Sequence, residues 1–99
     1  MKDREIRVET FKEGYFPCTS AALKDYFEGL KRDAPELILT HYRHDLHQDH
    51  RVVNELTWNT FRNHAVLEYE IAKFDGDLAV PNTYVPISRA RLERKCRML

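Results

Sequence analysis

The chain is short of most features that would decide its class at a glance. Its two cysteines, Cys18 and Cys96, lie far apart and form no C-x-x-C unit. A disulfide framework is therefore excluded, and both are expected as reduced, partly buried thiols. Charge of neither sign is in excess, with sixteen basic residues against sixteen acidic ones. Without a basic stripe, nucleic acid drops out as a partner. No run approaches the roughly 18 apolar residues of a membrane-spanning helix. The opening MKDREIRVET is mostly charged and has no apolar core, so it does not read as a signal peptide. There are no repeats, low-complexity stretches or linkers. A soluble, cytoplasmic protein with no membrane partner is the expectation. Its 99 residues allow one small domain, and a chain of this size buries only about 60–65% of its unfolded surface.

The apolar pattern organises that domain. Glu5 to Phe11 alternates Ile6, Val8 and Thr10 with Arg7 and Glu9, which predicts a strand. Gly14 and Pro17 break it. Thr19 or Ser20 then caps a helix, SAALKDYFEGLKRDA, with Leu23, Tyr26/Phe27 and Leu30 on its apolar face. After Pro35, Leu37-Ile38-Leu39 has the form of a strand buried on both faces, as in parallel sheets. Strand, helix and strand would make a β-α-β unit. A second helix is expected over DHRVVNELTWNTFRNH and another strand over Leu67 to Ile71. The loop FDGDLAVPN turns at Asp75-Gly76, and Tyr84-Val85-Pro86-Ile87 reads as an edge strand because of its proline. Ser88 caps a basic last helix, RARLERKCRML. The order predicts an α/β fold with a mainly parallel sheet and helices packed on it.

What is abundant is imidazole. Four of the five histidines fall within His41–His50, mixed with Asp45, Asp49, Arg43 and Arg51. Histidine is the commonest metal ligand and titrates near neutrality, so the cluster reads as a metal or acid–base site. It directly follows the Leu37–Leu39 strand, and open α/β sheets bind ligands beyond the carboxyl ends of their strands. The histidines recur every three residues. On a helix that spacing drifts by roughly 60° per step, so His41 and His50 would point apart and a four-histidine site is not expected. The segment 44–50 can supply one or two ligands, with Asp45 or Asp49 fixing an imidazole tautomer. His64, roughly 21 Å further along the same expected helix, cannot join them. The cluster thus reads as half of a metal centre.

The run Asp45-x-His47-x-Asp49-His50-Arg51, after an apolar strand and opening a helix, resembles the second motif of the LmbE/PIG-L zinc-dependent deacetylases. The resemblance continues through Phe74-Asp75-Gly76-Asp77-Leu78, Pro81-Asn82-x-Tyr84-Val85-Pro86-Ile87-Ser88 and the basic helix with Lys95-Cys96. It covers nearly the whole chain. It implies a partial Rossmann-like sheet and hydrolysis of the amide of an N-acylated amino sugar or related small molecule. It also implies Zn2+ as cofactor and His50 as a zinc ligand. His47 would stabilise the developing oxyanion, and Asp49 would orient His47 and raise its pKa. The family's earlier H-P-D-D type motif, which supplies two further ligands and the general base, is absent from this sequence. Residues 1–99 are therefore expected to be a single partial domain, truncated at both ends, inactive alone and prone to self-association.

Other residues carry plainer readings. His44, Asp45 and Arg51 are candidates for contact with substrate. Against that, His41 and His44 suit pocket lining or solvent better than ligation, Arg51 suits a helix-surface salt bridge, and Asp45 suits either the pocket or a loop cap. Trp58 and Phe61 read as helix core, while Asp75, Asp77 and Asn82 form a loop near the site or a plain turn. The rival functions are a non-catalytic remnant or binding module of the same fold, and a histidine-rich metal-binding protein.

Overall fold

A computed structural model describes residues 5–99; residues 1–4, the start of the charged opening stretch, lie outside it. Helix α1 spans Ser20–Leu30, strand β1 Leu37–His41, helix α2 Gln48–Thr60, strand β2 Ala65–Tyr69 and helix α3 Arg89–Met98. Single 3-10 turns, Phe16–Thr19 and Lys31–Asp33, flank α1. The described residues thus form a mixed α/β structure with three helices and a two-stranded parallel sheet.

β1 and β2 pair in parallel from Leu37↔Ala65 to His41↔Tyr69, and α2 is the crossover between them. Parallel strands need such a crossover, because a tight turn cannot return the chain to the same end of the sheet. The β-α-β unit is therefore β1-α2-β2 rather than the one expected around α1. Its missing member is Glu5–Phe11, which forms no strand. Alternation makes a segment suitable for a sheet, but hydrogen-bonding partners make it a strand, and this segment has none in the ladder. Residues 5–10 stay exposed and are tied to the rest by Arg7, which pairs with Asp33 at 3.0 Å, while Phe11 packs edge-on against Phe16 and Tyr26. Tyr84–Ile87 likewise forms no strand and is exposed.

The side chains of β1 alternate. Thr40 is buried against α2, where its hydroxyl lies 2.9 Å from that of Thr57. Leu37 and Leu39 point the other way and are 54% and 63% exposed. The strand is covered on one face only, which corrects the expectation of burial on both. On the covered side Glu68 accepts from the Arg43 guanidinium at 2.6 Å and from Trp58 Nε1 at 3.0 Å. Trp58 thus works as a partly polar clamp between α2 and β2.

Buried apolar residues among the described residues are Leu23, Leu56 and Phe61. Leu23 comes from the apolar face of α1, the other two from α2 and its end. α1 runs on into the 3-10 turn Lys31–Asp33, and this turn stops where Ala34 takes a left-handed conformation (φ 44°) ahead of Pro35, a position unable to continue a right-handed helix. Buried polar residues are Thr40, Asp45, Asp49, Asn54, Thr57 and Thr60. Buried polar groups need partners, and most of these cluster where β1 runs into α2. Both cysteines are free and exposed, not partly buried. Ser88 caps α3 as expected, accepting from the Arg91 N–H at 3.3 Å, and every residue of that helix is exposed. No helix among the described residues is long and apolar enough to cross a membrane.

Candidate metal centre

The histidine run is not one helix. His41 ends β1, residues 42–46 form a loop, and α2 starts only after His47. His47 is the N-cap: its Nδ1 accepts the Asp49 N–H at 3.1 Å, so one free donor of the first turn is satisfied. An Nδ1 that accepts leaves the proton of a neutral ring on Nε2. His47 therefore presents an N–H to its surroundings.

Asp45 organises the loop. It is 2% exposed, its Oδ1 accepts the His47 N–H at 2.7 Å, and its Oδ2 lies 2.9 Å from His50 Nδ1 and 3.0 Å from Lys73 Nζ. Burial pushes its carboxyl up, but the hydrogen bonds from His50, the His47 N–H and Lys73 outweigh this and hold its pKa at about 2. With Asp45 ionised, His50 Nδ1 is the donor, and in the neutral ring this leaves the Nε2 lone pair for a ligand bond, the arrangement in which a carboxylate orients a metal-binding imidazole. Arg51, from the first turn of α2, donates to the main-chain carbonyls of Asp45 (3.0 Å) and Leu46 (2.7 Å). It pins the loop.

His41 completes the group. Asn54 Nδ2 donates to its carbonyl at 2.8 Å, fixing the end of β1 against α2. The His41 ring stacks on His50, and His50 on His47, with centroids 4.0 Å and 4.5 Å apart. His41 Nδ1 is buried and has no hydrogen-bond partner. Burial first, then the neighbouring His50, His47 and Lys73 charges, depress its pKa against the pull of Asp45. It is thus neutral near pH 7, the form that ligates metal. His41, Asp45 and His50 each offer one donor atom, all within 4.8 Å of one another, and this group could hold a metal ion. Two imidazoles and a carboxylate are donors that zinc accepts, and an orphaned ring nitrogen is what an added ligand bond would satisfy. The residues fit the group.

The spacing of three predicts His50 here but not His41, because it holds for a continuous helix and this run is not one. A strand end and the first turn of the following helix are brought together by the loop between them. That signal was available in the position of Leu37–Leu39 directly before the cluster.

The other site candidates fall elsewhere. Asp49 is 5% exposed, and its carboxylate accepts the N–H groups of Gly14 (2.6 Å) and Phe16 (3.2 Å). Its contact with His47 is through its main-chain N–H, so its carboxylate ties down the 14–16 turn instead of bracing the imidazole. His44 is exposed and stands edge-on to Tyr42. His64 is exposed beyond the end of α2. Asp77 is drawn in, accepting from the Leu46 N–H and from Lys73. Beside the three stacked rings lies a cleft of about 270 Å³, walled by Phe11, Phe16 and Val53 and edged by Glu13. A larger hollow along α3, between Ile87, Leu92 and Cys96, has no convergent polar groups of this kind.

Comparison with known proteins finds no matching family model, no matching curated protein and no matching solved structure. The fold and site define a mixed α/β chain with a candidate His/Asp metal centre at the carboxyl end of a parallel strand.

Proposed function

We propose that the chain carries a zinc site of deacetylase type, acting on the amide of an N-acylated amino sugar or related small molecule, as its resemblance to the LmbE/PIG-L family implies. The observation that carries this reading is the convergence of His41, Asp45 and His50 within 4.8 Å at the end of β1. The parallel β1-α2-β2 unit supports the finer reading of a partial Rossmann-like sheet.

His41 and His50 would hold zinc through ring nitrogens and Asp45 through carboxylate oxygen or by orienting His50. Bound zinc supplies Lewis acidity, lowering the pKa of water to about 7 and polarising a carbonyl. His47 lines the cleft, and its Nε2–H would be the donor that stabilises negative charge on a carbonyl oxygen. The walls of Phe11, Phe16 and Val53 suit the apolar part of a small ligand. Arg51 works through the loop carbonyls and makes no demand on substrate.

The family's H-P-D-D motif, which supplies its general base, has no counterpart in this sequence. Metal binding is therefore the primary test. Zinc titration by calorimetry at neutral pH is expected to give one ion per chain, with the isotherm flattened in His50→Ala. An absence of saturable heat would sink the reading, and several tight ions per chain would transfer it to the histidine-rich metal-binding protein. In a free-amine assay with N-acetylglucosamine derivatives and zinc, the chain by itself is expected to release no amine.

A further inference from the structure

A cation already sits at the candidate centre. The Lys73 ammonium lies 3.0 Å from Asp45 Oδ2, the oxygen that also receives His50 Nδ1. Its side chain is only 16% exposed. The same ammonium reaches both carboxylate oxygens of Asp77 at 2.7 Å. Asp77 in turn accepts the N–H of Leu46, the neighbour of Asp45. Lys73 and Asp77 thus connect the segment after β2 to the loop that carries the metal donors.

Two cations do not share one carboxylate without cost. At a separation of a few ångströms, with water largely excluded, repulsion between an ammonium and a divalent ion is a large term. Lys73 also has somewhere to go, because its donors remain satisfied by Asp77 when Asp45 is given up. Resting on the metal reading above, we propose that Lys73 is an internal placeholder for the metal. It neutralises Asp45 in the metal-free protein and passes wholly to Asp77 when a divalent ion binds at His41, Asp45 and His50. The placeholder adds a full positive charge to the hydrogen bonds that Asp45 receives from His47 and His50 before metal arrives. It also couples the segment carrying Lys73 and Asp77 to the state of the centre.

Zinc calorimetry on the full chain and two variants tests this. Lys73→Gln keeps a hydrogen-bond donor and removes the charge; it is expected to bind zinc on the order of tenfold more tightly than wild type. Asp77→Asn keeps an oxygen for the Leu46 N–H but removes the alternative anion; it is expected to bind about threefold or more weakly, since Lys73 is then left to Asp45. The opposite signs are the signature, because a bridge that merely steadied the loop would shift both variants the same way. An unchanged or weaker Lys73→Gln, or an unchanged or tighter Asp77→Asn, overturns the inference and leaves the metal reading standing. Zinc binding by none of the three proteins overturns both. Should Lys73→Gln lose its fold by circular dichroism, Lys73→Met takes its place on the same criterion, tighter binding supporting the inference and unchanged or weaker binding overturning it.

Discussion

The imidazole of His41, at the end of β1, stacks face to face on that of His50, in the first turn of α2, with centroids 4.0 Å apart and planes within 5°. Two charged imidazoles would repel in that position. Burial keeps His41 neutral, and the pairing of His50 with Asp45 aims its remaining nitrogen away from the carboxylate. Strand end and helix start are thereby joined by a group that could hold a metal ion.

His41→Ala is therefore expected to weaken zinc binding by at least about 100-fold, the upper end of what loss of even an outer partner costs. His44→Ala, at an exposed ring outside the group, is expected to leave it unchanged. Competition against a chromophoric chelator reads both. Equal losses in the two variants would mean that the run binds metal as a loose histidine-rich segment.

Acid should loosen the site before it unfolds the rest. The Asp45 carboxyl is held at about 2, below its ordinary value, so the folded chain binds fewer protons than the unfolded one. Its contribution is complete above the ordinary carboxylate pKa near 3.9 and drains away as pH falls toward about 2. A shift of that size corresponds to about 2–3 kcal/mol. His41 acts with the same sign at higher pH: the unfolded chain takes up a proton below about 6.5 that the folded chain resists. Urea midpoints measured from pH 7 down to pH 2 should fall in these two windows. Asp45→Asn should be less stable at pH 7 and lose the lower window; a variant with the wild-type acid profile would contradict the assignment.

Asp49 is expected to matter for the fold of the 11–19 region. Its buried carboxylate satisfies two main-chain N–H groups, and Gln48 Nε2 donates to the Gly14 carbonyl at 2.6 Å beside it. Asp49→Ala would strand those donors and cost about 2–3 kcal/mol, in the range for hydrogen bonds to a charged group. Hydrogen exchange should accelerate first at Gly14 and Phe16. Exchange unchanged there, with loss of order around His47 instead, would restore the bracing role that the sequence motif suggested.

These cases show where the sequence could be read and where it could not. α2 and the start of β1 at Leu37-Ile38-Leu39 were legible because apolar spacing and a short apolar run are local signals, and Ser88 was legible because a cap is set by its own neighbours. Glu5–Phe11 was misread because its alternation is local but its pairing is not. The role of Lys73 had no local signal at all, since it arises only when the chain after β2 folds back onto Asp45. His41 lay between these extremes: its position after a strand was visible, but a helical test of the whole run hid its meeting with His50.

Self-association is the last expectation, and it follows from the uncovered side of the sheet. Among the described residues the sheet has two strands, so each keeps an open edge. Leu37, Leu39, Leu67 and Tyr69 stand exposed on the face opposite α2. Parallel sheets are ordinarily covered on both faces, and open apolar edges template pairing with other chains. Burial of such side chains is worth about 25 cal/mol per Å² of apolar surface, enough for a patch of this kind to drive association. Sedimentation at rising concentration is expected to show dimers or larger species. Leu39→Lys, which puts a charge in the middle of the face, should shift the population to monomer. A wild-type chain that stays monomeric at all concentrations, with a cooperative melt, would mean that this face tolerates water by itself.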